Sequence, residues 1–145
     1  MPQQASNTGQ LKLQISNRLE ELPRLQQAVN AFLQERAAAP TVLFTTNLVL
    51  EEIITNIIKY GYTDQEPHTI TITLEPSTQC LKIRVADDGR EFNPLSAAPP
   101  DTSLDLAHRP IGGLGIHLVR HMVNALCYQR QANQNVLEMT IDLPA

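Results

Sequence analysis

Two stretches of strict alternation, separated by a short polar break, constrain this chain more than any other feature. His68-Thr-Ile-Thr-Ile-Thr-Leu-Glu75 puts Ile70, Ile72 and Leu74 on one side of an extended backbone. Cys80 to Ala86 does the same with Leu81, Ile83 and Val85. Pro76-Ser-Thr-Gln79 between them reads as a turn. A hairpin with one apolar face must bury that face, so an antiparallel sheet becomes the frame of the fold.

The other segments fit around that frame. Leu11-Lys-Leu-Gln-Ile15 alternates as a short strand, and Ser16 or Asn17 is placed to cap a helix. Leu22, Leu25, Val29, Phe32 and Leu33 then recur at helical spacing to about Ala38, a stripe better suited to core packing than to a partner. Pro23 falls in the first turns, where its missing amide costs least, and Pro40 separates this helix from the next. A second helix is expected from about Thr41 to Tyr60, ended by Gly61. Asp87 to Ile111 shows no period and contains Pro94, Pro99, Pro100 and Pro110, the pattern of a functional lid. A third helix starts near Gly112–Gly115 and carries Ile116, Leu118, Val119, Met122 and Val123. Leu126–Gln131 and Asn135–Leu143 form a last hairpin about a turn at Ala132-Asn-Gln134. The expected fold is α+β: a two-layer α/β sandwich whose mixed, mostly antiparallel sheet has helices on one face.

Leu, Ile, Val and Phe make up 40 of the 145 residues, enough for a core without staples. The chain is expected to be a single domain over 11–145 behind a polar, disordered leader, Met1–Gln10. That leader has neither a basic start nor an apolar stretch, so it does not read as a signal peptide. No apolar run approaches the ~20 residues of a membrane helix. Net charge is −4, which argues against direct binding of nucleic acid. Cys80 and Cys127 make no CxxC pair and no disulfide framework; packing is the better reading of both, and a reducing, cytoplasmic setting the simpler one. His117 and His121 stand at i, i+4, but no third ligand follows at useful spacing.

Three constellations can carry chemistry. Glu52, Asn56 and Lys59 fall on one stripe of the second helix: a candidate base, an amide oxygen suited to Mg²⁺, and a point charge for phosphate. A solvated helix face has the same spacing. Glu51 points about 100° away from Glu52 and is a second-choice base. In Asp87-Asp88-Gly89, continuing the alternation of Leu81, Ile83 and Val85 puts Asp87 on the apolar side, where a carboxylate needs donors such as an adenine amino group. An Asp-Gly turn facing water is the alternative. Gly112-Gly113-Leu114-Gly115 opens a helix, where bare backbone and free amides suit an anion; a hinge is the alternative. Together they are the parts of a nucleotide–Mg²⁺ site.

These residues resemble the Bergerat-type (GHKL) ATP-binding domain shared by gyrase, histidine kinases and related ATPases. Glu52-Ile-Ile-Thr-Asn56 resembles its N box, Asp87-Asp-Gly89 its G1 box and Gly113-Leu-Gly115 its G2 box. The runs Glu52–Tyr62, Asp87–Pro94 and Arg109–Val119 are more similar still to the anti-sigma-factor serine kinases of bacterial sporulation and stress-response switches.

The resemblance implies ATP and Mg²⁺ as cofactors, with Asn56 ligating the metal and Glu52 as the base for a protein hydroxyl. It implies that Asp87 accepts from the adenine amino group, Gly89 lets the base approach, and Gly113 and Gly115 contact phosphates. Lys59 is expected near phosphate and Thr140 near adenine. It implies a protein serine/threonine kinase that acts as an anti-sigma factor, with a sigma factor and a STAS-domain antagonist as partners, and a homodimer. A non-catalytic ATP-binding module that controls a partner by occlusion is the alternative function. The ATP-binding half of a histidine kinase is a further reading, but no two-helix segment with an acceptor histidine is evident. One position departs from the family pattern: Glu91 stands where a second G1 glycine is common.

Overall fold

The computed structural model describes residues 9–93 and 113–144, the stretch 113–116 in backbone only. The leader expected at 1–10 falls largely outside the described residues, and so does most of the lid expected over 87–111, from 94 onward.

The elements are β1 (Leu11–Ser16), a single 3-10 turn (Leu19–Glu21), α1 (Leu22–Glu35), α2 (Pro40–Tyr60), β2 (Thr69–Pro76), β3 (Cys80–Asp87), α3 (Gly113–Met122), β4 (Ala125–Gln131) and β5 (Gln134–Asp142). The strands form one five-stranded sheet in the order β1-β2-β3-β5-β4. Every pairing in it is antiparallel. This is the α+β architecture the alternation predicts, with no parallel pair among the described strands. Ala132 and Asn133, both at positive φ, join β4 to β5 by a two-residue turn whose twist matches that of the strands.

Register decides where chemistry can sit. Leu13, Ile72, Val85, Leu137 and Tyr128 lie opposite one another across all five strands, on the face the helices cover. Two positions along each strand, on the same face, the row reads Ile15, Ile70, Asp87, Asn135 and Arg130. The apolar face of the sheet thus turns polar at one corner, at the end of β3.

The core joins Leu25, Val29, Phe32 and Leu33 of α1 with Val42, Val49, Leu50, Ile53 and Ile54 of α2, over Ile72, Leu74, Ile83 and Met139 of the sheet. Contrary to the sequence expectation, α2 is long and apolar enough to cross a bilayer by length and composition alone. Here its apolar stripe is buried against the sheet, as in the core helix of a globular domain. Val119 of α3 and Val123, which lies just past the end of that helix rather than on it, reach the same core, whereas Leu118 is exposed.

Several local expectations are corrected. Neither Ser16 nor Asn17 caps α1, whose N-cap is Glu21. Asn17 instead closes the β1–β2 pair: its N–H donates to the His68 carbonyl, and its Oδ1 accepts from the His68 N–H, both at 3.0 Å. Ser16 gives its N–H and hydroxyl to Glu21 Oε1. Pro40 separates the two helices as expected, as the first residue of α2, while α1 ends at Glu35 rather than near Ala38. Cys127 is not packed; it is exposed on β4. Gly61 does end α2, but at φ −82 rather than in the left-handed region. Its need for glycine is close packing, since a Cβ there would lie 2.6 Å from the Ile57 carbonyl oxygen.

Candidate nucleotide-binding site

At the end of β3 the strand alternation carries Asp87 onto the helix-covered face, where it is only 4% exposed. A carboxylate there requires donors. Asp87 Oδ1 accepts from the Gly89 N–H at 2.9 Å and from Asn135 Nδ2 at 3.1 Å. Asp87 Oδ2 receives no hydrogen bond among the described residues. Burial raises the Asp87 carboxyl above its ordinary value, and those two donors offset only part of the shift.

The chain leaving Asp87 is held at many points. Arg90 N–H donates to the Gly61 carbonyl at 2.8 Å, tying the loop to the end of α2. Arg130 Nη1 donates to the Gly89 carbonyl at 2.7 Å, from the outer strand. Asn135 Nδ2 donates to the Arg90 carbonyl at 2.8 Å, and Asn135 Oδ1 accepts from the Phe92 N–H at 3.3 Å. Glu91, in the place of a family glycine, is therefore pinned on both sides and needs no positive φ.

Beside this corner, Tyr62 stacks on His68 with ring centroids 4.3 Å apart. His68 bridges Asp64, through Nε2 at 2.8 Å, and Asp88, through Nδ1 at 3.1 Å. Its pKa is raised, by Asp64 first and then by Asp88. The buried Tyr62 hydroxyl has no hydrogen-bond partner among the described residues. Its pKa is pushed up by burial first, then by the charges of Asp87 and Asp88.

The helical stripe leads into the same corner. Asn56 precedes Gly61 by five residues, about 7.5 Å of helix rise. It is half-buried, and its Nδ2 is buried without a hydrogen-bond partner among the described residues. Glu52, one turn earlier, is half-buried, while Glu51 and Lys59 are exposed. Gly113 and Gly115 lie in the first turn of α3, which packs against α2.

Thr140 is a correction. It pairs with Lys82 on β3 and Ala125 on β4, five positions from the Asp87–Asn135 pair and on the opposite face of the sheet. The residue of β5 that reaches Asp87 is Asn135, which the sequence reading missed. A signal was present: Leu137, Met139 and Ile141 share a face with position 135 and not with 140.

The structure thus ties a buried carboxylate on the sheet to the end of a helix that carries a half-buried Asn one turn from a Glu. The histidine kinase-like ATPase domain family matches residues 15–141. The chain belongs to this family. Among curated relatives, the serine/threonine-protein kinase BtrW of Bordetella bronchiseptica is 33% identical over 97 residues, 67% of this chain and 68% of the relative. The serine-protein kinase RsbW of Bacillus mycoides is 28% identical over 94 residues, 62% of this chain and 58% of the relative. Among solved structures, the RsbU and RsbW domains of a Mycobacterium tuberculosis protein superpose with a TM-score of 0.60 at 14% identity. That match covers 92% of this chain and 33% of the other, and it carries the fold alone.

The Asn56 amide, whose Nδ2 is buried without a hydrogen-bond partner among the described residues, is the group on which a metal–nucleotide pair can be tested against this structure. Its oxygen is a hard ligand of the kind Mg²⁺ takes, and a phosphate oxygen would supply the acceptor that the buried Nδ2 lacks. The donor set fits the metal–nucleotide pair.

Proposed function

We propose that this chain is an ATP-dependent protein serine/threonine kinase that also acts as an anti-sigma factor in the bacterial cytoplasm. It would phosphorylate a STAS-domain antagonist, release or hold a sigma factor accordingly, and work as a homodimer. The observation that carries the ATP reading is Asp87: a buried carboxylate with one oxygen held by the protein and the other left for a ligand donor. The protein serine kinase reading is supported by the named activities of the Bordetella and Bacillus relatives.

In this reading each residue does something its position allows. Asp87 accepts from the adenine amino group. Gly89 keeps the floor low enough for a flat base. Asn56 holds Mg²⁺ through its oxygen, and the first turn of α3, with Gly113 and Gly115, offers backbone amides to phosphate. The metal, when bound, neutralises phosphate charge and orients the terminal group. Glu52, one turn before Asn56, takes the proton from an incoming serine hydroxyl. Lys59 is exposed and serves at most as a peripheral phosphate contact.

The decisive experiment incubates the protein with Mg²⁺, γ-labelled ATP and a STAS-domain protein from the same organism. Acid-stable label on a serine or threonine of that protein is expected. ATP binding without any transfer would sink the kinase reading and leave the occlusion module. Label that acid removes would point to phosphohistidine instead.

A further inference from the structure

Asn135 is 7% exposed and spends its whole hydrogen-bonding capacity inside the protein. Its Nδ2 donates to Asp87 Oδ1 and to the Arg90 carbonyl. Its Oδ1 accepts from the Phe92 N–H and, at 2.5 Å, from the Tyr128 hydroxyl. The backbone partners fix which way the amide faces, because an N–H only donates and a carbonyl only accepts. An amide committed in this way has nothing left to offer a ligand.

Its effect falls on Asp87. A carboxylate rotates easily about its last torsion, with two equivalent settings. Two donors meeting at one oxygen, from Gly89 and Asn135, fix the plane of the carboxylate and leave the other oxygen without a hydrogen bond among the described residues. The same amide holds the backbone on both sides of Glu91, so carboxylate and loop are tied to one side chain.

We infer that Asn135 is a positioning residue for the nucleobase: without touching the base, it aims Asp87 Oδ2 at the purine amino group and so sets the preference for adenine. This deepens the proposed function and rests on its adenine-binding part.

The test compares ADP with the diphosphate of purine riboside, which lacks only the 6-amino group, by calorimetry with Mg²⁺ present. The variants are Asn135→Val and Asn135→Thr, two strand-forming residues of nearly equal shape. Only the threonine hydroxyl can donate to Asp87. Asn135→Val should weaken ADP about tenfold, the worth of a hydrogen bond to a charged group, and leave the analogue within about twofold. Asn135→Thr should keep most of the ADP preference. A role confined to holding the hairpin would move both variants alike, and equal preference in the two would overturn the inference. A wild-type protein that binds both diphosphates equally would remove the adenine reading itself, and this inference with it. A wild type that prefers ADP, with both variants still preferring it equally, removes only the role of Asn135.

Discussion

Gly89 and Gly61 meet backbone to backbone: a Cβ on Gly89 would stand 2.6 Å from the Gly61 carbonyl oxygen and 2.9 Å from Asp87 Oδ1. That carbonyl also accepts from Arg90, so it cannot retreat without losing a bond. The end of α2 and the loop after β3 are thus one joint, and the joint lies between the carboxylate and the helical stripe. Gly89→Ala should destabilise the fold by about 1–3 kcal/mol, the usual cost of overpacking, and weaken ATP binding with it. Urea unfolding and calorimetry read the two effects. Unchanged stability would mean that the loop can pull away from α2 at no cost.

Asp87 should show opposite effects on stability and on binding. Its carboxyl is raised by burial, so its charge opposes folding. A group whose folded pKa lies above the unfolded value contributes full stability below the unfolded pKa and loses it as pH rises through the folded one. Asp87→Asn keeps an oxygen for Gly89 and Asn135 and removes the charge. The variant should melt at or above the wild-type temperature at neutral pH, yet bind ATP at least about tenfold more weakly, because an amide nitrogen turned outward cannot accept. Thermal melts with and without nucleotide separate the two quantities, and a clearly lower melting temperature in the apo variant would contradict this account.

How much of this was legible in the sequence follows from what alternation can and cannot encode. Period-two patterning placed Ile70, Ile72, Leu74, Leu81, Ile83 and Val85 correctly and carried Asp87 to the buried face. The helical stripe from Glu52 to Lys59 was readable in the same way, although only the structure separates half-buried Asn56 from exposed Lys59. Asn135 was not found, because its meaning depends on which residue of β3 lies opposite it. Register between strands distant in sequence is set by packing rather than by local pattern. Thr140 was chosen by resemblance, against the alternation of its own strand. Ser16 and Asn17 have the composition of helix caps, but the strand pair and Glu21 claim them first.

The outer edge of β1 is closed by side chains. Glu21 Oε1 accepts from Ser16 N–H at 3.0 Å, and Arg24 Nη2 donates to the Gln14 carbonyl at 2.9 Å, while the two side chains pair with each other. Arg24 first, then the Ser16 N–H, lower the Glu21 pKa to about 2. Its folded pKa is depressed, so the stability it contributes is present above the unfolded value of 4.5 and disappears as pH falls toward 2. Arg24 is partly exposed and water screens the pair, so Glu21→Gln should cost only about 1 kcal/mol at neutral pH. The difference between variant and wild type should shrink across that acid window in denaturant titrations. A constant difference from pH 7 to pH 2 would rule out the carboxylate as its source.

Ala37 follows α1 with φ 54, a left-handed setting that a Cβ disfavours. The turn is held by the Ala37 N–H to Gln34 and the Ala38 N–H to Leu33, both at 3.0 Å, which leaves the backbone no other course. Ala37→Gly should raise stability by about 0.5–1 kcal/mol, the strain relieved exceeding the entropy glycine adds to the unfolded chain. It lies at the far end of the sheet from Asp87, so nucleotide affinity should not change. A lower melting temperature would show that the unfolded-state term dominates.

Glu52 is where binding and chemistry can be told apart. It stands one helical turn before Asn56 and is half-buried, and its side chain makes no hydrogen bond among the described residues. A base that acts only when the acceptor hydroxyl arrives contributes to the transition state and not to ground-state affinity. Glu52→Gln keeps the shape and removes the proton acceptor. ATP affinity should stay within about twofold of wild type, and phosphoryl transfer to the proposed STAS-domain acceptor should fall by at least about a hundredfold. Glu51→Gln, on the exposed neighbouring position, should leave both unchanged. Transfer that survives in Glu52→Gln but is lost in Glu51→Gln would reassign the base, and transfer intact in both would leave positioning alone to explain the rate.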